Sequence, residues 1–443
     1  TAVRLHEIPE FSIGIEIFHF NLQDVCRLQR LARLERPFPD SSIFQVAQLN
    51  SIEGLSLTGL DEFILQNRAW IRFKHYFHPR SEFIGRIASH FKKNPSNYLR
   101  MITPMKREEY RIAITEHKRQ SNWRTEMSEA FRTPLELLTY LGLEDSELRT
   151  KTDSYQEFKM LVPRSFAAKM KAGDPNDPLL KQILPTYKER ETEEEFVKDP
   201  LEEWPDSQAS KGLLQKYKGR ALLMPTAACA INCRYCFRHH FPHSPLDKDS
   251  LHKTLEAIRS DKTLKEIILS GEDPLILREE ILFDLIGKLI SMPHAKRIPI
   301  HTRIPTVLRS RITESFIDKI RGHQTKIVIV THINHSNALD TETHYVLRRL
   351  RETGLALLNQ TILLKAVNDK TTTLVKLSEK LFNQGIIPCY LDLTDKVEGT
   401  QHLCVNVDTA RHLFRDMLEE LPGYLVPRLA VEEPGMSSKT LIV

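Results

Sequence analysis

The sequence predicts an α/β fold: a partial (β/α)6 barrel that follows an N-terminal helical region. Three observations lead to this fold. Short apolar, β-branched runs recur after Arg220, amphipathic stretches of helical period separate them, and three cysteines follow the first run directly. Strands that alternate with helices form a parallel sheet with crossover helices. Barrels of this kind carry their chemistry at the carboxyl ends of the strands.

Six runs are predicted to be the strands of the barrel. They are Ala221–Met224, Glu266–Leu269, Ile298–His301, Lys326–Val330, Leu355–Leu358 and Ile386–Tyr390. Between them, the apolar spacing at Thr341–Glu352 and at Thr372–Asn383 predicts two of the crossover helices.

The chain of 443 residues is long enough for two or three domains. We expect three regions: an N-terminal extension at 1–100, a helical region at 101–210, and the barrel with its C-terminal segment at 211–443. Within the helical region, Thr133-Pro-Leu-Glu136 predicts a helix that begins with a capping box, and Gly142 ends it.

The first hundred residues differ in composition from the rest. They contain 10 of the 20 Phe and none of the nine Met, and the first Met is Met101. One interpretation is an additional domain. The other, which the composition favours, is upstream sequence translated ahead of a start at Met101 or Met105.

Composition excludes several classes of protein. The net charge of +5 is small and no Lys/Arg block with interleaved aromatics occurs, so we expect no nucleic-acid partner. No apolar run reaches the length of a membrane span, and the N-terminus lacks the pattern of a signal peptide. Six Cys without a disulfide framework indicate a reducing compartment, which predicts a cytoplasmic protein.

The most informative motif is a set of three cysteines, Cys229, Cys233 and Cys236, spaced C-x3-C-x2-C. Three thiolates on one loop can bind three irons of a 4Fe–4S cluster and leave the fourth iron open for a small molecule. The alternative is a zinc site that His239 or His240 completes.

This run, with an aromatic residue before its last Cys, resembles the radical S-adenosylmethionine (SAM) signature. From about Met101 onwards, the chain resembles the lysine 2,3-aminomutase family, and within it the branch that β-lysylates elongation factor P. The runs that carry the resemblance are Val162-Pro-Arg-Ser-Phe, Gly173-Asp-Pro-Asn-Asp-Pro-Leu-Leu, Cys229–Pro242, Thr331-His-Ile-Asn-His, Asn359-Gln-Thr-Ile-Leu-Leu and Ser438-Lys-Thr. The resemblance implies a radical SAM barrel, an isomerase activity on L-lysine, and three cofactors: a 4Fe–4S cluster, SAM and pyridoxal 5′-phosphate.

The resemblance also implies roles for residues that face SAM. Ser270 and Gly271 would meet its methionyl amine, and His332 and Gln360 would face it from the following strands. In Ser270-Gly-Glu-Asp, Glu272 replaces a family Gly, so either its φ is negative or the loop is reshaped.

For pyridoxal phosphate, the resemblance implies that Lys439 is the catalytic lysine that binds the cofactor covalently, and that Tyr217 and Arg220 surround the cofactor. A neutral amine suits Lys439 for condensation with an aldehyde. The planar donors of Arg220 suit a phosphate dianion.

For the substrate, the resemblance implies two clamps. Arg238 would pair with the carboxylate of lysine, while Asp395 and Glu432 would hold its distal ammonium. Glu432 stands where many aminomutases have Asp. These residues favour lysine over other amino acids.

The resemblance further implies a reductant such as flavodoxin or ferredoxin, and a functional link to elongation factor P and its lysyl ligase. Two alternatives remain open at this point. One is a catabolic 2,3-aminomutase for lysine or another amino acid, and the other is a non-catalytic Fe–S or zinc protein.

Overall fold

The structure is a computed structural model that describes residues 123–442, except 153–157, 192, 205–211, 239, 243–245 and 324–325. The expected extension at 1–100, and the part of the helical region up to residue 122, lie outside the described residues. The three-region division of the chain therefore stays a prediction.

The described part contains one nine-stranded sheet whose strands follow one another in chain order. Strands β2 to β8 run parallel, while β1 and β9 pair antiparallel with β2 and β8 at the two edges. The strands are β1 (Leu213–Tyr217), β2 (Arg220–Leu223), β3 (Glu266–Leu269), β4 (Ile298–Thr302), β5 (Ile327–Thr331), β6 (Ala356–Ile362), β7 (Ile387–Asp392), β8 (Arg428–Val431) and β9 (Thr440–Leu441).

Helices connect the parallel strands. The described helices are α1 (Trp123–Ser128), α2 (Pro134–Tyr140), α3 (Leu148–Lys151), α4 (Arg164–Ala167), α5 (Lys248–Ser260), α6 (Glu279–Ile290), α7 (Ile304–Val307), α8 (Glu314–Ile320), α9 (Thr341–Glu352), α10 (Thr371–Asn383) and α11 (Val407–Glu420). Each of the six connections between parallel strands contains at least one of α5 to α11, so the predicted alternation of strands and helices is confirmed. None of the described helices is long and apolar enough to cross a membrane.

The six predicted strands are β2 to β7, and the predicted helices at 341–352 and 372–383 are α9 and α10. Three strands were not predicted: β1, β8 and β9. β1 contains the polar residues Gln215 and Lys216, β8 begins directly after Pro427, and β9 has only two residues.

The segment before the barrel packs on the same core. Thr133 caps α2 through a capping box with Glu136, as predicted, and Gly142 adopts a φ of +65° where the helix ends. The buried side chains of this segment, among them Leu137, Val162 and Phe166, belong to one apolar cluster with the strands β2 to β6. A second cluster lies under β7, β8 and α11. Burial of these aliphatic side chains is the main stabilising contribution.

Candidate active site

The loop that carries the three cysteines is fixed by the segment before the barrel. Asn232 donates its backbone N–H to the Leu161 carbonyl at 3.1 Å. The Arg234 side chain is almost wholly buried, forms an ion pair with Glu189, and donates to the Phe158 carbonyl at 2.8 Å. A buried guanidinium with its donors satisfied holds the backbone around it in one conformation. The N-terminal segment therefore positions the loop.

Cys229, Cys233 and Cys236 follow β2 at the carboxyl edge of the sheet. They interact electrostatically with one another, so the three thiols lie in one place. Burial raises the pKa of the Cys236 thiol to about 12. A thiol in such surroundings becomes a thiolate when a metal binds it. Arg303, just after β4, donates from Nη1 to Cys233 Sγ at 2.5 Å.

The zinc alternative requires a fourth ligand next to these thiols. His240 Nε2 lies 3.1 Å from the Glu398 carbonyl oxygen, and His239 lies outside the described residues. Within the described ranges, no three His, Cys, Asp or Glu side chains are arranged around a single metal ion. A 4Fe–4S cluster with one open iron takes three thiolates, each on a different iron. The three thiols on this loop match that donor set.

The turn after β3 packs closely against the Met224 side chain. Ser270 donates its N–H to the Leu223 carbonyl at 3.1 Å, and Gly271 has a φ of +99°. A Cβ at Gly271 would lie 2.4 Å from Met224 Cγ, so no larger residue fits there without movement. Glu272 is not among the described non-glycine residues with positive φ. Glu272 therefore has a negative φ, as the first of the two alternatives in the sequence predicted, and Gly271 takes the left-handed conformation.

His332 follows β5 and pairs with a histidine that the sequence analysis did not single out. His301 Nδ1 and His332 Nε2 lie 3.1 Å apart. Burial, together with the charge on Lys439, lowers the pKa of His301 to about 4, and burial also lowers the pKa of His332. Both rings are neutral at pH 7, so one donates to the other. Gln360 lies in β6, where it pairs with Tyr390 of β7.

Lys439 is placed by the β8–β9 hairpin. Val431 pairs with Thr440 across this hairpin, which brings Lys439 back over the carboxyl end of β7. Lys439 Nζ lies 2.9 Å from Asp392 Oδ1 and 3.6 Å from Glu432 Oε1. It also lies 4.9 Å from the centroid of the Tyr390 ring. The C-terminal lysine is therefore part of the site and not a solvated tail residue.

Tyr217 and Arg220 lie on the β1–β2 hairpin, and Arg220 is at the beginning of β2 rather than at its carboxyl end. The Arg220 guanidinium stacks on the Tyr217 ring at 4.6 Å. Burial and the adjacent Glu432 carboxylate raise the pKa of Tyr217. The next residue towards the N-terminus, Lys216, donates to Glu432 Oε2 at 2.8 Å. The structure thus brings Tyr217 to Glu432, and Arg220 reaches the site through Tyr217.

Asp395 and Glu432 also come together. Burial and the negative charges of Glu432 and Asp392 raise the pKa of Asp395 to about 7. Burial opposes ionisation of Glu432, but the Lys439 and Lys216 ammonium groups prevail and lower its pKa. The two carboxylates therefore form a negatively charged pair that suits an ammonium ligand.

Arg238 is buried and held by a carboxylate. Its Nη2 donates to Glu203 Oε2 at 2.8 Å, and its guanidinium lies 4.6 Å and 5.1 Å from the ring centroids of Phe237 and Phe241. Burial raises the pKa of Glu203, although Arg238 opposes this shift. Glu203 also interacts with Glu432 and Asp395. Arg238 and the carboxylate pair therefore belong to one site.

Five site residues were missed by sequence reasoning: Lys216, Glu203, His301, Arg303 and Asp392. Two of them left a local signal, since His301 and Asp392 are polar residues at the ends of otherwise apolar strands. The other three lie on a flanking strand or in loops, where a charged residue is ordinary. Their importance depends on contacts with distant parts of the chain.

The donor sets fit the groups that the resemblance implies. The thiols suit iron, and Lys439 provides an amine beside the half-buried ring of Tyr390.

Comparison with known proteins identifies the family. The chain is 41% identical over 326 residues to the L-lysine 2,3-aminomutase of Buchnera aphidicola, covering 73% of this chain and 96% of the relative. It is 41% identical over 324 residues to the enzyme of the same name from Escherichia coli, covering 72% and 94%. The enzyme of that name from Clostridium subterminale is 29% identical over 326 residues, covering 73% and 78%. No family model matches the chain.

Among solved structures, Streptococcus suis SuiB bound to S-adenosylmethionine is similar with a TM-score of 0.37 and 14% identity, covering 50% of this chain and 51% of that one. A radical SAM methyltransferase from Sphaerobacter thermophilus has a TM-score of 0.36 and 15% identity, covering 49% and 68%. The identity to the aminomutases, over nearly their whole length, decides the assignment: this chain belongs to the L-lysine 2,3-aminomutase family and is an isomerase.

Proposed function

We propose that the protein converts L-lysine into (R)-β-lysine with a 4Fe–4S cluster, SAM and pyridoxal phosphate, and that the product modifies elongation factor P. One observation carries this proposal. A C-terminal lysine, two carboxylates and a buried arginine meet at the carboxyl edge of the sheet. Such a site recognises an amino acid by a carboxylate at one end and an ammonium at the other.

The chain's residues divide the work by position. Cys229, Cys233 and Cys236 would hold the cluster, and Ser270 and Gly271 in the turn after β3 would face SAM. His301, His332 and Gln360 line the neighbouring strand ends. When bound, the cluster and SAM supply hydrogen-atom abstraction, and pyridoxal phosphate carries the migrating nitrogen.

Substrate recognition depends on the two clamps. Arg238 binds the carboxylate of lysine, and Asp395 with Glu432 binds the distal ammonium. Fixing both ends of lysine holds the two carbons between which nitrogen moves in a defined position. Such positioning lowers the activation barrier of the reaction. Lys439 would hold pyridoxal phosphate through its Nζ.

The branch and the cellular context are part of the proposal. Glu432 in place of the Asp of many aminomutases is the feature that favours the branch acting with elongation factor P and its lysyl ligase. The protein would work in the cytoplasm with a flavodoxin or ferredoxin as electron donor, since the cluster needs a low-potential reductant.

The test is anaerobic reconstitution with iron and sulfide, followed by L-lysine, SAM, pyridoxal phosphate and dithionite. We expect about four irons per chain and β-lysine that chiral chromatography identifies as the R enantiomer. Cys229→Ala should lose the cluster, and Lys439→Ala should keep the cluster but lose the product. The S enantiomer would favour a catabolic aminomutase. Stoichiometric zinc, with no product and no cofactor bound at Lys439, would indicate the non-catalytic alternative.

A further inference from the structure

Asp392 is a buried carboxylate to which the proposed reaction assigns no role. It is the last residue of β7, and its side chain is 9% exposed. Its Oδ1 lies 2.9 Å from Lys439 Nζ, which is nearer than Glu432 Oε1 at 3.6 Å. The lysine that must bind the cofactor is therefore held as an ammonium between two carboxylates.

Glu432 is fully engaged in this arrangement. Lys216 contacts its Oε2 at 2.8 Å, and Lys439 lies nearest its Oε1. Under the proposed function, the same carboxylate must also receive the distal ammonium of the substrate. Lys439 and the substrate ammonium therefore compete for one oxygen of Glu432.

The surroundings of Lys439 show which charge state this arrangement favours. The titratable groups of the described residues that interact with it include Asp392, Asp395, Glu432, His301, His332, Cys389 and Tyr390. Burial disfavours the ammonium, but Asp392 and Glu432 outweigh burial and raise the pKa of Lys439. Both histidines have lowered pKa values and carry no charge at pH 7.

Covalent capture of the cofactor needs the opposite state. A neutral Nζ attacks the aldehyde carbon, a carbon–nitrogen double bond forms, and the aldehyde oxygen leaves as water. The ammonium must first release one proton to solvent. Once Nζ is bound to the cofactor, the Glu432 oxygen that faced Lys439 becomes available.

We propose that Asp392 and Glu432 hold Lys439 as an ammonium before the cofactor binds, and that cofactor capture and binding of the substrate's distal ammonium promote each other because they share Glu432. Asp392 is then a positioning residue for Lys439. The inference rests on the proposed function for the assignment of Asp395 and Glu432 to the distal ammonium. Coupling of this kind is reciprocal, so either ligand raises the affinity for the other by the same factor.

The first experiment measures cofactor capture by the full chain, without SAM and without reductant. Pyridoxal phosphate is titrated, borohydride fixes the bond, and mass spectrometry quantifies the modified peptide that contains Lys439. The probe is 6-aminohexanoate, which has the carboxylate and distal ammonium of lysine but no α-amine, and hexanoate is its control. We expect 6-aminohexanoate to lower the half-saturating cofactor concentration by about fivefold or more. An unchanged or raised value would overturn the proposal, as would the absence of capture at Lys439.

The second experiment follows capture against pH. Asp392→Asn removes the nearer charge and should move the capture midpoint down by about one pH unit or more. The matched control is Asp284→Asn, which removes an exposed carboxylate that pairs with Lys288 at 2.7 Å and should leave the midpoint in place. A midpoint in Asp392→Asn equal to that of the unaltered chain would contradict the role of Asp392.

Failure of this inference is distinguishable from failure of the proposed function. If β-lysine forms but 6-aminohexanoate does not promote capture, the coupling is wrong and the function stands. If 6-aminohexanoate promotes capture but no β-lysine forms, the coupling stands and the function is wrong.

Discussion

Lys216 on β1 and Glu432 directly after β8 form an ion pair of 2.8 Å between the two ends of the sheet. These two ends are not joined by backbone hydrogen bonds, since β1 and β9 are the edge strands. The contact shows that the sheet curves until its edges meet through side chains. The proposed site for pyridoxal phosphate lies at this junction, where Tyr217 and Lys439 both interact with Glu432.

Glu203 is expected to control the affinity for lysine. Glu203→Gln removes the charge that holds Arg238. Loss of one partner of a buried charge pair weakens binding by about 2–5 kcal/mol. We expect KM for lysine to rise about tenfold or more while kcat changes little, because Arg238 acts in binding. Glu203→Asp should restore part of the loss. The control is Glu202→Gln, which changes the exposed residue next to Glu203. An equal KM for lysine in the two variants would contradict the prediction.

Arg303 is expected to tune the cluster. Arg303→Leu removes a positive charge and an N–H donor from Cys233 Sγ. Hydrogen bonds to sulfur and nearby positive charge stabilise the reduced cluster, so its reduction potential should become more negative. A redox titration followed by electron paramagnetic resonance measures this, with iron content as the check that the cluster assembles. An unaltered potential at full iron content would show that the contact does not act on the cluster.

Asp395 is expected to make lysine binding depend on pH. Its pKa of about 7 means that it is largely protonated at pH 6 and largely ionised at pH 8. Since the ionised form binds an ammonium, kcat/KM for lysine should rise as pH increases through about 7. Asp395→Asn should remove this dependence and lower kcat/KM. The expected loss corresponds to a free energy on the order of 3–5 kcal/mol, because a buried ammonium loses a charged partner. Retention of the wild-type pH profile in the variant would place Asp395 away from the substrate.

Lys169 is expected to join the N-terminal segment to the barrel. Its buried Nζ donates to the carbonyls of Thr306 and Ala338 at 2.7 Å and 2.9 Å and to Thr343 Oγ1 at 2.5 Å. Lys169→Met leaves these acceptors unsatisfied and should lower the free energy of unfolding by an amount on the order of 3 kcal/mol. Thermal denaturation of the variant and of the unaltered chain measures this loss of stability. Lys171→Met, two residues away on the exposed side, should have a much smaller effect, and similar Tm losses in both would refute the role.

The start at Met101 remains a prediction that truncation tests. A chain that begins at Met101 should load iron and pyridoxal phosphate as well as the full chain does, because every proposed site residue lies beyond residue 200. If 1–100 form a domain that packs on the rest, its removal should expose apolar surface and lower solubility or Tm. Mass spectrometry of the protein from its native host complements this, since abundant peptides from 1–100 would refute the early-start interpretation.

Local pattern was sufficient for most of the fold. The runs that became β2 to β7 are short, largely apolar segments separated by stretches of helical period, so each is recognisable alone. The capping box at Thr133 and the period of α9 are likewise properties of neighbouring residues. The cysteine spacing belongs to the same class, since three thiols within eight residues must share one loop.

The sequence by itself thus determined the order of strands β2 to β7 and of the helices between them, and the grouping of three thiols on one loop, because both depend on residues close together in the chain. Only the tertiary structure decided that Asp392 and Glu432 hold Lys439, that Glu203 holds Arg238, and that Lys216 bridges the sheet edges. The last two of these contacts join residues 35 and 216 positions apart. Their geometry follows from the curvature of the sheet and from the β8–β9 hairpin, which arise from packing of the whole core and leave no periodic signal in any one segment.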